Sequence, residues 1–141
     1  MVLGGISFDT PYGLDGHSDA DVLTHAICDA LLGAAGLPDI GHYFPNTDPK
    51  YRNIDSQELL KEVACSISNE GYVIGNIDAT LIAEKPKIAA KTDAMKHRLA
   101  QSAGISPSQI GIKATTNEGV GAEGRREAIS AHAVVLLETR G

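Results

Sequence analysis

The chain has 141 residues, a formal net charge of −6 and a 43% hydrophobic share, with aromatics at only 4% and no Trp. That length and apolar share suit one globular domain, residues 1–141, with a core of Ala, Val, Ile and Leu; the acidic balance excludes a nucleic-acid partner held through a general basic surface. No apolar run approaches the roughly 18 residues that span a bilayer, and MVLGGISFDT lacks the basic start and apolar stretch of a secretory signal, so a cytoplasmic protein is expected.

In chain order, VLGGISF reads as a short strand interrupted by Gly4 and Gly5, and Thr10-Pro11-Tyr12-Gly13 as a turn. Ser18 is placed as an N-cap, with Asp21 completing an S-x-x-D capping pattern. Val22, Leu23, Ala26, Ile27, Ala30, Leu31 and Ala34 then recur at helical spacing on one face, while Asp21, His25 and Asp29 lie four apart on another. Gly36 and Pro38 end this helix, and LPDIGHYFPNTDP after it is too rich in Pro and Gly for regular structure. Asp55 with Glu58 opens a second helix, buried through Leu59, Leu60, Val63, Ala64 and Ile67 and closed by Gly71.

From Tyr72 to Glu84 the pattern is that of a strand, with Val73, Ile77, Ala79, Leu81 and Ala83 on one face, broken by Lys85-Pro86-Lys87. A third helix runs from about Ala89 to Ala103 and stops at Gly104. Ile110 to Thr116 is a strand, NEGVGAEGR a glycine-rich loop, and Ile129 to Glu138 a last strand, apolar on both faces near its end. Cys28 and Cys65 both fall in predicted helices and in no CxxC pair, which points to buried free thiols. The fold class expected is α/β of the α+β sandwich type, a small mixed sheet packed against three helices.

Several residues carry chemistry by type and place. His25, with Asp21 and Asp29 one turn to either side, has the spacing in which a carboxylate orients one ring nitrogen while the other binds metal or moves a proton; an ordinary surface histidine on an acidic helix has the same spacing. His17 and Ser18 sit at the predicted helix start, where N–H groups attract anions, and Ser18 caps in either case. Lys87 at a strand end reads as a phosphate or nucleotide contact or as a solvated lysine. Thr115 and Thr116, leading into Asn117-Glu118-Gly119, read as ligand groups at a strand terminus or as a strand cap. The glycines before Arg125 and Arg126 match neither GxGxxG nor P-loop spacing.

At GHSDADVLTHAICDALLGAAGLPDIGHYFPNTDP the sequence strongly resembles the 2-C-methyl-D-erythritol 2,4-cyclodiphosphate synthase family, and the likeness continues through GYVIGNIDATLIAEKPKI, KATTNEGVGAEGR and EAISAHAVVLLE. The resemblance implies a phosphorus–oxygen lyase of the non-mevalonate isoprenoid pathway. Such an enzyme converts 4-diphosphocytidyl-2-C-methyl-D-erythritol 2-phosphate to the cyclic diphosphate and releases CMP. It also implies a homotrimer with sites between neighbouring subunits, and a diphosphate gripped by a zinc or manganese ion and by magnesium.

By motif, the resemblance makes His25 a metal ligand, and His17 with Ser18 the pair that contacts substrate, His17 stabilising the transition state. Asp39, Ile40 and Gly41 match the loop on the erythritol part, continued by Phe44, Pro45, Asn46, Thr47 and Asp48. Ala83, Glu84, Lys85, Pro86, Lys87, Ile88 and Ala89 match the cytidine-binding segment. Ala114, Thr115, Thr116, Asn117 and Glu118 match nucleotide-binding residues, Thr115 and Thr116 being the threonines near the phosphates and Thr116 the second stabiliser. Glu118 matches the acid near the second metal, and Arg125 the arginine at the pocket mouth.

Asn46 stands where an aspartate is common in the family, and Ala122 where a phenylalanine often lies. Family members also begin with a strand bearing G-x-D-x-H, whose Asp and His complete the site of the helix histidine. The first residues here match the strand after it, so the domain is expected to be N-terminally truncated and its zinc site incomplete. The alternative is a catalytically inactive member that binds cytidine nucleotide or only trimerises.

Overall fold

The computed structural model describes residues 1–9, 20–45, 47–51 and 54–140, with the side chain of Tyr51 set aside. The Thr10–Gly13 turn and the readings placed on His17, Ser18 and Asn46 lie outside the described residues.

The chain opens with a β-hairpin, not one interrupted strand. Strand β1 (Val2–Leu3) pairs antiparallel with β2 (Ile6–Ser7), Leu3 opposite Ile6. Gly4 and Gly5, at φ +58 and +77, form the turn; left-handed geometry at both central positions is what a two-residue hairpin turn demands. Helix α1 (Val22–Ala34) follows, with Asp21 as its N-cap: the carboxylate accepts the Thr24 N–H at 3.0 Å. Leu23, Ile27, Leu31 and Leu32 are buried along it together with Thr24 and Cys28.

The loop expected to be irregular contains two short helical pieces. Helix α2 (Ile40–Tyr43) is capped by Asp39, which accepts from the His42 N–H, and a 3₁₀ turn covers Pro49–Tyr51. Asx capping supplies local order that Pro and Gly content does not disclose. Helix α3 (Ser56–Asn69) starts at the Asp55 cap, as its sequence predicts, and ends before Gly71 at φ +92.

The main sheet has the order β4-β3-β5. Central strand β3 (Tyr72–Ile82) runs parallel to β4 (Ile110–Thr115) and antiparallel to β5 (Ser130–Thr139). A register shift between Ile74 and Asn76 marks a bulge at Gly75. The extra residue inverts the alternation, so Ile74 turns inward with Ile77, Ala79 and Leu81, while Val73, expected on the buried face, is 41% exposed. Between β3 and β4, a 3₁₀ turn at Ala89–Lys91 leads into α4 (Thr92–Ala103), which ends on Gly104 at φ +74. Helix α5 (Gly121–Gly124) lies within the glycine-rich loop.

Helix α1 packs on β5 and on α3, and α3 on α4, so helices cover one face of the sheet and enclose one apolar core. Each Leu or Ile fully buried there contributes about 1.5–3 kcal/mol. The opposite sheet face leaves Val134 and Leu136 at 72% and 60% exposure beside Asp78, whose carboxylate pairs with Lys113. Among the described residues no helix is long and apolar enough to cross a membrane.

Both cysteines are free, but only Cys28 is buried; Cys65 is exposed on α3. Burial pushes the Cys28 thiol far above the ordinary range, and the carboxylates of Asp29 and Asp21 add to the shift. As the pH rises, the unfolded chain therefore ionises this thiol before the folded chain does. The stability tied to Cys28 is complete below the ordinary thiol pKa and is lost progressively above it. A thiol reagent at pH 8 is expected to label Cys65 in the native protein and Cys28 only after unfolding; mass spectrometry of the labelled peptides checks this.

Candidate functional site

The parallel pairing of β3 with β4 determines where the site forms. Its register brings Leu81 beside Ala114 and Ile82 beside Thr115, and Ala83 N–H adds one further bond of 3.0 Å to the Thr115 carbonyl. The two strands thus end side by side, and the segments leaving them diverge around a cleft of about 320 Å³. Divergence at carboxyl ends of neighbouring parallel strands is a common origin of ligand sites.

One wall is Ala83, Pro86, Lys87, Ile88 and Ala89, with Thr92 from the start of α4; the other is Ile112, Lys113, Ala114, Thr115 and Thr116. The cytidine-binding segment expected from the sequence and the expected phosphate threonines therefore meet in one place. The Lys85–Pro86 peptide bond is cis. The floor is apolar, from Ile88 at 4% exposure and Ala83 at 5%, and the exposed Lys87 supplies a cation. Apolar walls with a few placed polar groups are the usual make-up of a small-molecule site. Thr92, Ile112 and Lys113 were missed by sequence reasoning, although Ile112 and Ala114 share the period-2 alternation of β4 and that signal was available.

The two threonines are used differently. The Thr115 hydroxyl bonds the Thr116 carbonyl at 3.2 Å, whereas Thr116 Oγ1 accepts the Glu118 N–H at 3.2 Å. A hydroxyl that accepts from the backbone keeps its own proton for another acceptor. Thr116 is accordingly the donor available to a ligand anion.

After Thr116 the backbone turns through two left-handed residues, Glu118 at φ +52 and Gly119 at φ +79. Helix α5 packs its Gly124 directly on this turn; a Cβ at Gly124 would lie 2.8 Å from the Cα and carbonyl oxygen of Gly119. Arg125, just beyond, is exposed and forms an ion pair of 3.0 Å with Glu127.

Around His25 the expected carboxylate pair takes other partners. Asp21 is fully buried and accepts from the N–H groups of Gly4 at 2.9 Å, Gly5 at 2.7 Å and Thr24 at 3.0 Å, and from the hydroxyls of Thr24 at 2.7 Å and Ser56 at 2.9 Å. Asp29 accepts the Ile40 N–H at 2.9 Å and fastens the start of α2 to α1. Both carboxylates anchor backbone donors.

His25 itself is half-buried one turn into the helix. Among the described residues, neither His25 nor those of the 39–48 loop, Glu118 or Arg125 line the cleft of the strand ends. Among the described residues, no three His, Cys, Asp or Glu side chains assemble as a metal group. The described residues therefore do not by themselves fit a three-ligand zinc site at His25.

The YgbB family model matches residues 1–138. The chain is 56% identical over 137 residues to the 2-C-methyl-D-erythritol 2,4-cyclodiphosphate synthase of Synechococcus elongatus, a match covering 97% of this chain and 86% of that protein. Among solved structures, the bifunctional IspDF from Campylobacter jejuni superposes with a TM-score of 0.94 at 39% identity, covering 99% of this chain and 38% of that one. The CDP-bound form of a 2C-methyl-D-erythritol-2,4-cyclodiphosphate synthase superposes with a TM-score of 0.89 at 34% identity, covering 98% of this chain and 89% of that one.

Proposed function

The chain belongs to the YgbB family, and from that premise we propose that it converts 4-diphosphocytidyl-2-C-methyl-D-erythritol 2-phosphate to 2-C-methyl-D-erythritol 2,4-cyclodiphosphate with release of CMP. The observation that carries the reading is the cleft between residues 83–89 and 112–116, which joins an apolar slot to a cation and a hydroxyl donor. A solved relative carries CDP, and CDP combines a base with a diphosphate in the way this cleft does.

The reaction asks little covalent chemistry of the protein. An oxygen of the 2-phosphate attacks the phosphorus that bears the erythritol; a P–O bond forms, the P–O bond to CMP breaks, and CMP departs with the electron pair. Both reacting groups are anions, so catalysis consists of holding them together and offsetting charge. In this chain the slot of Ala83, Pro86 and Ile88 holds the base, Lys87 offsets charge on the nucleotide, and the Thr116 hydroxyl donates to a phosphoryl oxygen. His17 with Ser18, the loop of residues 39–48 and Arg125 are assigned to the erythritol phosphate and the pocket mouth. A divalent cation accompanies the family reading, zinc or manganese at His25 and magnesium with Glu118 at the diphosphate. The described residues do not assemble its ligand set, and no step above passes through it.

The grouping of these residues also favours a homotrimer with sites between subunits. In one chain His25 does not line the nucleotide cleft, and the open face of the sheet presents Val134 and Leu136 to solvent. Covering such a strand face removes apolar area from water. We read residues 1–141 as one domain, supported by the single core, and place it in the cytoplasm. The direct test supplies the substrate to the purified chain and follows CMP and the cyclic product by chromatography. Equimolar formation of both is expected, from a species of three times 14.8 kDa by light scattering. Absence of CMP release, or of the cyclic product, overturns the reading.

A further inference from the structure

Glu84 lies two residues past the end of β3, inside the segment that the family resemblance assigns to the nucleotide, yet it does not line the cleft. Its Oε1 accepts the N–H of Gly119 at 3.3 Å, a contact across 35 residues of sequence. Its Oε2 is buried and has no hydrogen-bond partner among the described residues. Resting on the functional reading above, we propose that Glu84 is a positioning residue for the Thr116–Gly119 turn, holding the Thr116 hydroxyl at the cleft without touching substrate.

The turn needs such a tether. Glu118 is a non-glycine residue in the left-handed region, followed by another left-handed residue, and such geometry persists only where the surroundings over-determine it. Inside the turn, Thr116 Oγ1 accepts from Glu118 and the Asn117 carbonyl accepts from Val120 at 3.0 Å. Both bonds travel with the turn and leave its position on the sheet undetermined. The Ala83–Thr115 rung fixes the strand as far as Thr115. Beyond it, the Glu84 side chain supplies a bond from the segment after β3 to the turn itself. The backbone of Gly124 closes the other side. A buried carboxylate oxygen without a donor calls for an explanation, and setting the geometry of a site supplies one.

The test compares Glu84→Ala with Glu84→Gln, whose carbonyl retains the Oε1 acceptor. In Glu84→Ala, hydrogen exchange of the Gly119 amide, read by NMR, is expected to rise at least about tenfold through loss of its bond. Its kcat for CMP release is expected to fall about tenfold from misplacement of Thr116, with KM and the CDP dissociation constant within about twofold. Glu84→Gln is expected to recover most of both the exchange protection and kcat. Unchanged Gly119 exchange in Glu84→Ala overturns the proposal, as does weakened CDP binding in both variants, which would make Glu84 a nucleotide contact. If the wild-type chain releases no CMP, the functional reading fails, and the Gly119 exchange alone still decides whether Glu84 holds the turn.

Discussion

Asp21→Ala is expected to cost about 3–5 kcal/mol of folding stability, a large share of the roughly 5–15 kcal/mol that a domain possesses. The carboxylate is fully buried and joins three parts of the fold: the Gly4–Gly5 turn of the hairpin, the first turn of α1, and Ser56 at the start of α3. Alanine leaves the N–H groups of Gly4 and Thr24 without this acceptor, and each buried donor so stranded costs about 1–3 kcal/mol. It also removes the helix cap, and it weakens a wider network in which Gln57 Nε2 donates to Thr24 Oγ1 and Ser102 donates to Gln57 Oε1. Asp21→Asn retains an acceptor for Gly4 and Thr24 on the Oδ1 side. The Thr24 and Ser56 hydroxyls can rotate to accept from the new amide, whereas the Gly5 N–H cannot. Its expected loss is smaller, about 1–3 kcal/mol. Urea midpoints with an unchanged m-value measure both; a loss below about 1 kcal/mol for alanine would contradict the anchoring role.

Asp21 also shows where sequence reasoning stopped. Spacing of four on a helix places Asp21, His25 and Asp29 near one another, and that part was legible. It does not tell which carboxylate is taken by backbone donors 16 and 17 residues upstream. Those donors exist because Gly4-Gly5 forms a hairpin turn, a signal present in the sequence and read instead as an interruption. The same contacts fix Asp21 as the cap of α1, since the carboxylate that accepts from Thr24 also accepts from the hairpin turn.

Elements with their own local code were legible. Asp55 before α3, Gly71 after it and Gly104 after α4 stand where the sequence placed them, because cap and left-handed positions are decided by a few neighbouring residues. The bulge at Gly75 was not legible, since one unpaired residue flips the alternation without altering composition. The cleft was legible to the extent that motif residues of both segments cluster at two strand ends. The Glu84–Gly119 bond was not, because only the β3–β4 register brings Gly119 within reach of a residue inside that motif.

Thr116→Val is expected to lower kcat for CMP release about 100-fold, the usual effect of deleting one pre-placed donor to a developing oxyanion. The substitution keeps the branched shape at the strand end and removes only the hydroxyl. Thr115→Val serves as the internal contrast. The Thr115 hydroxyl is committed to the Thr116 carbonyl, so its loss is expected to cost less than about tenfold. Thr116→Ser is expected to remain within about tenfold of the parent, since it retains the donor and the acceptor for Glu118 N–H. KM and CDP affinity are expected to change little in Thr116→Val, because an interaction strengthened only in the transition state appears in kcat. His17→Ala is expected to lower turnover as well, with the mass by light scattering the same as that of the parent. Equal effects of the two valine substitutions would place the donor elsewhere. A raised KM with unchanged kcat in Thr116→Val would make Thr116 a ground-state contact and remove it from the catalytic step.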